Sequence, residues 1–389
     1  MKVQRIGEVI APRKGVAGTW REQRIARHWV EGKKPRYVRF PADSGHARAL
    51  VLAESGAGKS QLLRVLLKAS AQAGARTTFI DCKGAPEDAE AVAKDLGARV
   101  YDAYDVFRGD DRDRVTDRLF SLWPSTGGDG EHYRSGAYSV VRAVQRTGIA
   151  SDFEELIERI QVPGPYVSDR NLERLTRNKG ALQEQVVDAL EQRLGATAAL
   201  FSHEGWSFDD DMAHRVMPLQ PARSAEKKLG QLIFDDMRAY LADRIAAGPE
   251  GRRPEVIIVD EYSQLVGDED PAQAAATLFE TARTAGIGLI LVSQSAYGLS
   301  TDENLRARLM ASGATLFAGR TNSPEPVSML AGTRKRMESS ADASGERGLG
   351  SGRAQDAFTL PPDYLREASM GSWFIVQSGS VTPFRAWPV

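Results

Sequence analysis

The sequence contains one cysteine, Cys82, among its 389 residues. A single cysteine cannot form an internal disulfide, and it excludes a zinc site built from several thiolates. Histidine is also scarce, and the five histidines show no spacing typical of metal ligands; they are His28, His46, His132, His203 and His214. These shortages exclude disulfide-stapled domains and cysteine- or histidine-rich zinc domains as classes for this chain.

Long hydrophobic runs are absent as well. Runs such as Val256–Val259 and Leu289–Val292 are far shorter than the roughly 20 apolar residues that span a bilayer. The amino terminus, MKVQRIGEVIAPRKG, is basic but lacks the apolar stretch of a signal peptide. The sequence therefore predicts a cytoplasmic protein that does not insert into a membrane itself.

The chain has no excess of positive charge. Lys and Arg number 51 and Asp and Glu 52, so the formal net charge is -1, whereas nucleic-acid-binding domains often carry a basic excess. A nucleic-acid site would have to be local, such as a loop that lines a pore. The 42% hydrophobic and 26% charged residues are typical of a soluble globular protein.

From Arg48 onward, short apolar runs alternate with helical patterns. Several of the runs are continuously apolar, which is typical of strands buried on both faces of a parallel sheet. Strands are predicted at Arg48–Ala53, Arg76–Asp81, Ala98–Tyr101, Val256–Asp260, Gly288–Ser293, Thr315–Gly319 and Trp373–Gln377. Helices are predicted over Gln61–Gln72 and over Ala225–Ile245, where apolar residues recur at near-3.6 spacing. The pattern predicts an α/β fold with a mostly parallel sheet.

Strand signals fade between residues 106 and 214, where amphipathic helices dominate. We therefore divide the chain into an extension (1–45), the first part of the sheet domain (46–105), an all-helical insertion (106–214) and the second part of the sheet domain (215–389). A Gly- and Arg-rich stretch, 332–354, is expected to be mobile or to become ordered only on a partner.

The strongest motif is AESGAGKS at Ala53–Ser60, which follows a predicted strand and opens a predicted helix. Glycines there let backbone amides turn inward around phosphate oxygens. The Lys59 ammonium is expected to reach the β and γ phosphates of ATP, and the Ser60 hydroxyl to ligate Mg²⁺. Alanine occupies the first position of the motif, usually glycine, and its methyl group fits there if φ stays negative. The predicted nucleotide-binding residues are Ser55, Gly56, Ala57, Gly58, Lys59, Ser60 and Asp260.

Two further buried strands end in polar residues. PEVIIVDE at Pro254–Glu261 delivers Asp260 and Glu261 to the carboxyl edge of the sheet. Asp260 suits the Mg²⁺ shell, and Glu261 suits a general base that polarises the attacking water. Gln294, after the next strand, is either a contact to the γ-phosphate or water, or a surface cap. Arg283, at the end of the preceding helix, can be a solvated helix-terminal charge.

Together these motifs resemble the FtsK/HerA superfamily of ring-forming P-loop translocases over most of residues 46–389. HARALVLAESGAGKS, VIIVDEYSQL and ARTAGIGLILVSQS are similar to the family's Walker A, Walker B and sensor segments. GSWFIVQSGSVTPFR at Gly371–Arg385 resembles its closing strands, and FIDCKG at Phe79–Gly84 resembles the conjugative coupling-protein branch.

The resemblance implies a RecA-like P-loop domain with an all-helical insertion, assembled as a ring that is expected to be a hexamer. It implies that Arg283 is an arginine finger acting on a neighbouring subunit, with Arg320 as a second candidate. The implied function is ATP-driven DNA pumping in conjugative or plasmid transfer, with recruitment by a membrane or relaxase-type protein. ATP-driven protein export and a nucleotide-gated switch are the alternatives, and the sequence does not distinguish single- from double-stranded DNA.

Overall fold

The computed structural model describes residues 2–13, 21–24, 37–42, 45–84, 86–123, 129–168, 173, 181–340, 351–377 and 380–387. The chain divides into two compact units. The first unit comprises Met1–Thr78, Gly251–Ser263 and Glu269–Val389, and the second unit comprises Phe79–Glu250 and Gln264–Asp268.

Strands and helices alternate along much of the described chain. The strands are β1 (Val3–Arg13), β2 (Arg21–Arg24), β3 (Tyr37–Pro41), β4 (Ala49–Leu52), β5 (Arg76–Asp81), β6 (Arg99–Val100), β7 (His214–Pro218), β8 (Glu255–Asp260), β9 (Ile287–Ser293), β10 (Thr315–Ala318), β11 (Thr333–Ser340), β12 (Ser351–Phe358), β13 (Ser372–Gln377) and β14 (Ser380–Ala386). The helices are α1 (Lys59–Gln72), α2 (Pro86–Leu96), α3 (Arg112–Ser121), α4 (Asp129–Val144), α5 (Phe153–Gln161), α6 (Ala181–Ala198), α7 (Ser224–Ala246), α8 (Pro271–Ala285), α9 (Glu303–Met310), α10 (Glu325–Ala331) and α11 (Pro362–Arg366).

A parallel group of strands forms the centre of the first unit. Its order is β10-β4-β9-β8, and each neighbouring pair is parallel. Every residue of β4, β8 and β9 is buried, as expected for strands covered on both faces. Continuous apolar runs such as ALVL and IGLILVS therefore predicted these strands to within about one residue of their observed ends.

Antiparallel strands extend this sheet from β10. They follow the order β13, β14, β1, with β2 and β3 both paired to β1. Gly7 of β1 lies against β14 so closely that a Cβ would stand 2.3 Å from the Arg385 carbonyl oxygen. The sequence did not predict β1 to β3, because their mixture of charged and apolar residues has neither a continuous apolar run nor a helical period.

The boundaries of α8 follow ordinary capping chemistry. The Asp270 side chain accepts hydrogen bonds from two N–H groups of the first turn of α8, and Pro271 occupies the first helical position. Gly286 ends the same helix in the left-handed conformation, with φ 72. These caps fix the length of α8 and place its last turn immediately before β9.

The second unit contains the helices of residues 106–214. Residues 106–214 hold α3, α4, α5 and α6 in their described part, and the first strand to begin there is β7 at His214. β6 and β7 form a parallel pair. The buried Asp236 on α7 accepts hydrogen bonds from the Tyr104 hydroxyl and, at 2.7 Å, from Arg118 Nε. Burial and the Asp236 carboxylate together raise the pKa of the Tyr104 hydroxyl well above its usual range.

The Gly- and Arg-rich stretch contradicts its prediction over the residues that are described. β11 and β12 pair antiparallel from Thr333 opposite Phe358 to Ser340 opposite Ser351, and they form a two-stranded ribbon separate from the main sheet. Residues 341–350 lie outside the described residues. Composition predicted mobility, but eight cross-strand pairs supply the hydrogen bonds that glycine content alone does not reveal.

Candidate nucleotide-binding site

The AESGAGKS segment turns from β4 into α1 with two glycines in the left-handed region. Gly56 has φ 76 and Gly58 has φ 97, a conformation that favours glycine. A Cβ on Gly58 would also stand 3.0 Å from the Gly371 nitrogen. Both positions therefore need glycine, which is the residue type that lets a loop wrap its backbone amides around a phosphate.

Alanine at the first position of the motif is accommodated by a neighbouring glycine. Ala53 is fully buried. It does not have a positive φ, because Glu261 is the only non-glycine residue with positive φ among the described residues. A Cβ on Gly319 would lie 2.8 Å from the Ala53 Cβ. Gly319 therefore leaves the room that the Ala53 methyl group occupies, and the loop keeps its turn.

Lys59 and Glu261 converge in this site. The Lys59 ammonium is 4% exposed, donates to the Ala53 carbonyl at 2.6 Å and lies 3.7 Å from Glu261 Oε1. Glu261 follows β8, which is separated from β4 by the intervening strand β9. The fold therefore brings together two residues that are about 200 positions apart in the sequence.

Backbone strain accompanies the acidic pair at the end of β8. Asp260 and Glu261 are both buried, and Glu261 has φ 54. Residues other than glycine adopt this conformation rarely, and such strained residues cluster at functional sites. A buried lysine, two buried carboxylates and a glycine-rich loop match the donor set for a nucleotide with Mg²⁺, and Ser60 follows Lys59 in the first turn of α1.

Gln294 lies at the same edge of the sheet. It is exposed and directly follows Ser293, which pairs with Leu52 at the end of β4. The Ser293 carbonyl accepts a hydrogen bond from the Ala53 N–H at 3.3 Å. The structure thus places Gln294 next to the phosphate cradle, while its predicted catalytic role stays a prediction.

Arg283 lies near the amino-terminal end of β9, whereas the glycine-rich loop lies at the carboxyl ends of the parallel strands. Arg283 occupies the last turn of α8, exposed and just before β9. A strand of seven residues is about 20 Å long at roughly 3.3 Å per residue, so Arg283 stands far from the cradle of its own chain. A finger at this position has to act on another copy, and that role stays a prediction.

Arg48 is a neighbour of Arg283 that sequence reasoning missed. Its two terminal nitrogens lie 3.4 Å from the carbonyl oxygens of Phe279 and Gly313. Partial burial and the nearby Arg283 guanidinium lower the pKa of Arg48. Among the described residues neither arginine has a carboxylate partner, so this edge carries two close positive charges. In the sequence, the only indication of Arg48 was its position directly before the apolar strand β4.

Two interactions of the phosphate loop, the segment Ala53–Ser60, were not predicted either. Glu54 binds Arg320 Nε at 2.5 Å and Asn322 Nδ2 at 2.7 Å through its two carboxylate oxygens. On the other side, the Gly371 N–H donates to the Ala57 carbonyl at 3.0 Å. Gly371 has φ 80, a conformation that favours glycine. The glycine directly before β13 was therefore the only feature of the sequence that pointed to this position.

The arrangement defines the class: the chain has the RecA-like P-loop ATPase fold of the conjugative coupling proteins. It is similar to the bacterial conjugative coupling protein TrwB, with 15% identity, a TM-score of 0.59 and coverage of 98% of this chain and 96% of that one. VirB4 of Thermoanaerobacter pseudethanolicus is similar too, at 16% identity, a TM-score of 0.57 and coverage of 88% and 89%. Structures of TrwB include complexes with ADP and Mg²⁺ and with a non-hydrolysable ATP analogue.

These similarities confirm the predicted fold class. No family model matches the chain, and no curated protein matches it in sequence. Within the described ranges, no helix has the length and apolar character needed to cross a bilayer.

Proposed function

We propose that this protein is an ATP-driven DNA pump that works as a ring of its own copies, expected to be hexameric, in conjugative or plasmid DNA transfer. The observation that carries the proposal is the convergence of Lys59, the glycine cradle and Glu261 at one edge of a RecA-like sheet. A membrane or relaxase-type protein is the expected recruiting partner, and the site of action is the cytoplasmic side of the membrane.

The site residues divide the chemistry among themselves. Lys59 and the loop amides bind the β and γ phosphates of ATP, and Ser60 and Asp260 are the residues that would hold Mg²⁺. When bound, the metal ion neutralises charge on the phosphates. Glu261 takes a proton from the attacking water, Gln294 senses the terminal phosphate, and Arg283 acts on the neighbouring subunit.

ATP hydrolysis that depends on DNA is the direct test. We expect the purified chain to hydrolyse ATP, with stimulation by single- or double-stranded DNA. Lys59→Ala should abolish both the basal and the stimulated rate, since the ammonium is the main positive charge on the phosphates. Phosphate release with and without each DNA form is the measurement. Hydrolysis unaffected by any DNA would favour protein export, and nucleotide binding without turnover would favour a switch.

DNA affinity is expected to fall steeply with salt, because binding to DNA phosphates releases counterions. The proposed DNA-binding residues are Arg334, Lys335 and Arg336 on β11, of which Arg334 and Lys335 are exposed. Replacing all three with Ala should flatten the plot of log affinity against log salt concentration by roughly one unit for each phosphate interaction that is removed. Fluorescence anisotropy over a salt series measures the slope.

A control variant that keeps the positive charges tests whether charge, rather than the arginine side chain itself, sets the salt dependence. Replacing Arg334 and Arg336 with Lys keeps three positive charges on β11, so the slope should stay close to that of the wild type. An unchanged slope in the triple Ala variant would place the DNA-binding residues elsewhere.

A further inference from the structure

Arg320 stands beside the phosphate loop of its own chain. It follows β10, which pairs with β4, and its carbonyl accepts a hydrogen bond from the Glu54 N–H at 2.9 Å. Its Nη2 lies 3.5 Å from the position that a Cβ on Gly56 would take. The guanidinium therefore stands at the cradle of the same subunit, unlike Arg283 at the far edge of the sheet.

The side chain of Arg320 is held by one nitrogen only. Its Nε donates to Glu54 at 2.5 Å, and among the described residues its two terminal nitrogens have no hydrogen-bond partner. The side chain remains 36% exposed. A guanidinium fixed through Nε presents its terminal N–H groups as a fork, the geometry that suits phosphate oxygens.

Glu54 is itself fixed from a second side. While one of its oxygens accepts from Arg320, the other accepts from Asn322 Nδ2 at 2.7 Å. Both carboxylate oxygens are thus engaged, and the carboxylate has little freedom to turn away. An acidic residue inside a phosphate loop opposes the binding of an anion, and its pairing with Arg320 offsets that charge.

We propose that Arg320 binds the terminal phosphate of a nucleoside triphosphate held by its own subunit, and that Glu54 and Asn322 are its positioning residues. The proposal rests on the proposed nucleotide site and adds a phosphate-binding residue to it. It also separates Arg320 from the finger role that the family resemblance suggested, because the hydrogen bonds of Arg320 lie within one chain. An arginine that prefers the terminal phosphate lets the subunit distinguish a triphosphate from a diphosphate.

The test compares binding of a non-hydrolysable ATP analogue with binding of ADP, by calorimetry on the full chain. Arg320→Ala should weaken the analogue about 10- to 100-fold, as expected for removal of a hydrogen bond to a charged group, and change ADP binding less than about threefold. Glu54→Ala should shift the same ratio in the same direction by a smaller factor. Arg320→Lys, which keeps the charge, should recover part of the affinity for the analogue.

Arg366→Ala is the matched control. Arg366 is exposed to a similar degree, 41%, and pairs with Glu325 and with Asp363 rather than with any residue of the phosphate loop. Its replacement should leave the ratio of the two affinities unchanged. A role of Arg320 in stability alone would weaken the analogue and ADP equally, and that result would overturn the proposal.

Two further outcomes separate this proposal from the others. If the wild-type chain binds both nucleotides and Arg320→Ala keeps the wild-type ratio, the Arg320 assignment is wrong while the proposed function stands. If the wild-type chain binds neither nucleotide, the proposed function itself is wrong. Adding Lys59→Ala protein, which has an intact Arg320, should not restore analogue binding; restoration would move the phosphate-binding arginine to a neighbouring subunit and overturn the assignment.

Discussion

Arg283→Ala is expected to bind ATP almost as the wild type does and to lose nearly all turnover. The phosphate loop is intact in this variant and lies about 20 Å from Arg283, the length of β9. An arginine finger stabilises charge on the transferring phosphoryl group of a neighbour, an effect worth roughly 10³–10⁵ in rate in other nucleotide hydrolases. Phosphate release and analogue binding, measured on the same preparation, separate the two steps.

A structural role for Arg283 predicts a very different magnitude. A positive charge in the last turn of a helix contributes about 0.3–1 kcal/mol to its own subunit through the helix dipole. Arg308, an exposed arginine in the last turn of α9, offers a matched control, and Arg308→Ala should keep normal turnover. Normal turnover in Arg283→Ala would exclude the finger.

Mixing tests whether the finger acts between subunits. Lys59→Ala removes the phosphate loop function and keeps Arg283, whereas Arg283→Ala does the reverse. In the proposed ring, assemblies that contain both variants would have some junctions with an intact loop on one side and an intact finger on the other. We expect activity to reappear in the mixture, measured as phosphate release against the ratio of the two variants. Arg48 lies close enough to Arg283 for the two charges to repel, so Arg283 lies on a positively charged part of the surface, as a residue that acts on phosphate would.

Glu261→Gln is expected to trap ATP. The substitution keeps the shape of the side chain and removes its ability to accept a proton, so turnover should fall about 10²–10⁴-fold, the usual contribution of a general base. Binding should persist, because the Lys59 ammonium, 3.7 Å from Glu261, loses only a competing negative charge. Chromatography of the bound nucleotide after incubation with ATP should recover the triphosphate.

A matched glutamate variant controls for the removal of one charge. Glu303, exposed in the first turn of α9, lies outside the nucleotide site, and Glu303→Gln should retain normal turnover and release ADP. Hydrolysis near the wild-type rate in Glu261→Gln would assign the general base to another residue.

Much of the fold and the centre of the site could be predicted because their signals are local. The parallel strands β4, β8 and β9 are buried along their whole length and largely apolar, since both faces are covered. The turn of the loop could be predicted from its glycines, because the left-handed backbone at Gly56 and Gly58 favours glycine. The positions of Asp260 and Glu261 could be predicted because a buried strand ends at them, at the edge of the sheet where ligands bind in α/β folds.

The strands that the sequence did not predict lack such local signals. β1 and β3 carry charged residues among apolar ones; β3 pairs with β1, and β1 joins the sheet through β14, more than 330 residues further along the chain. The β11–β12 ribbon has a composition typical of a mobile segment, yet its two strands pair over their full length. In both cases strand pairing, which has no signature in composition or periodicity, decided the structure.

The sequence by itself determined the glycine-rich loop at the end of a buried strand, because turn, helix start and lysine follow one another in the chain. Only the tertiary structure decided which charges surround that loop. Arg320 meets Glu54 across 266 residues, and Gly371 meets Ala57 across the sheet domain. Such pairs have no period and no motif, because a hydrogen bond between distant segments forms only when the packing of the strands that carry them brings donor and acceptor together.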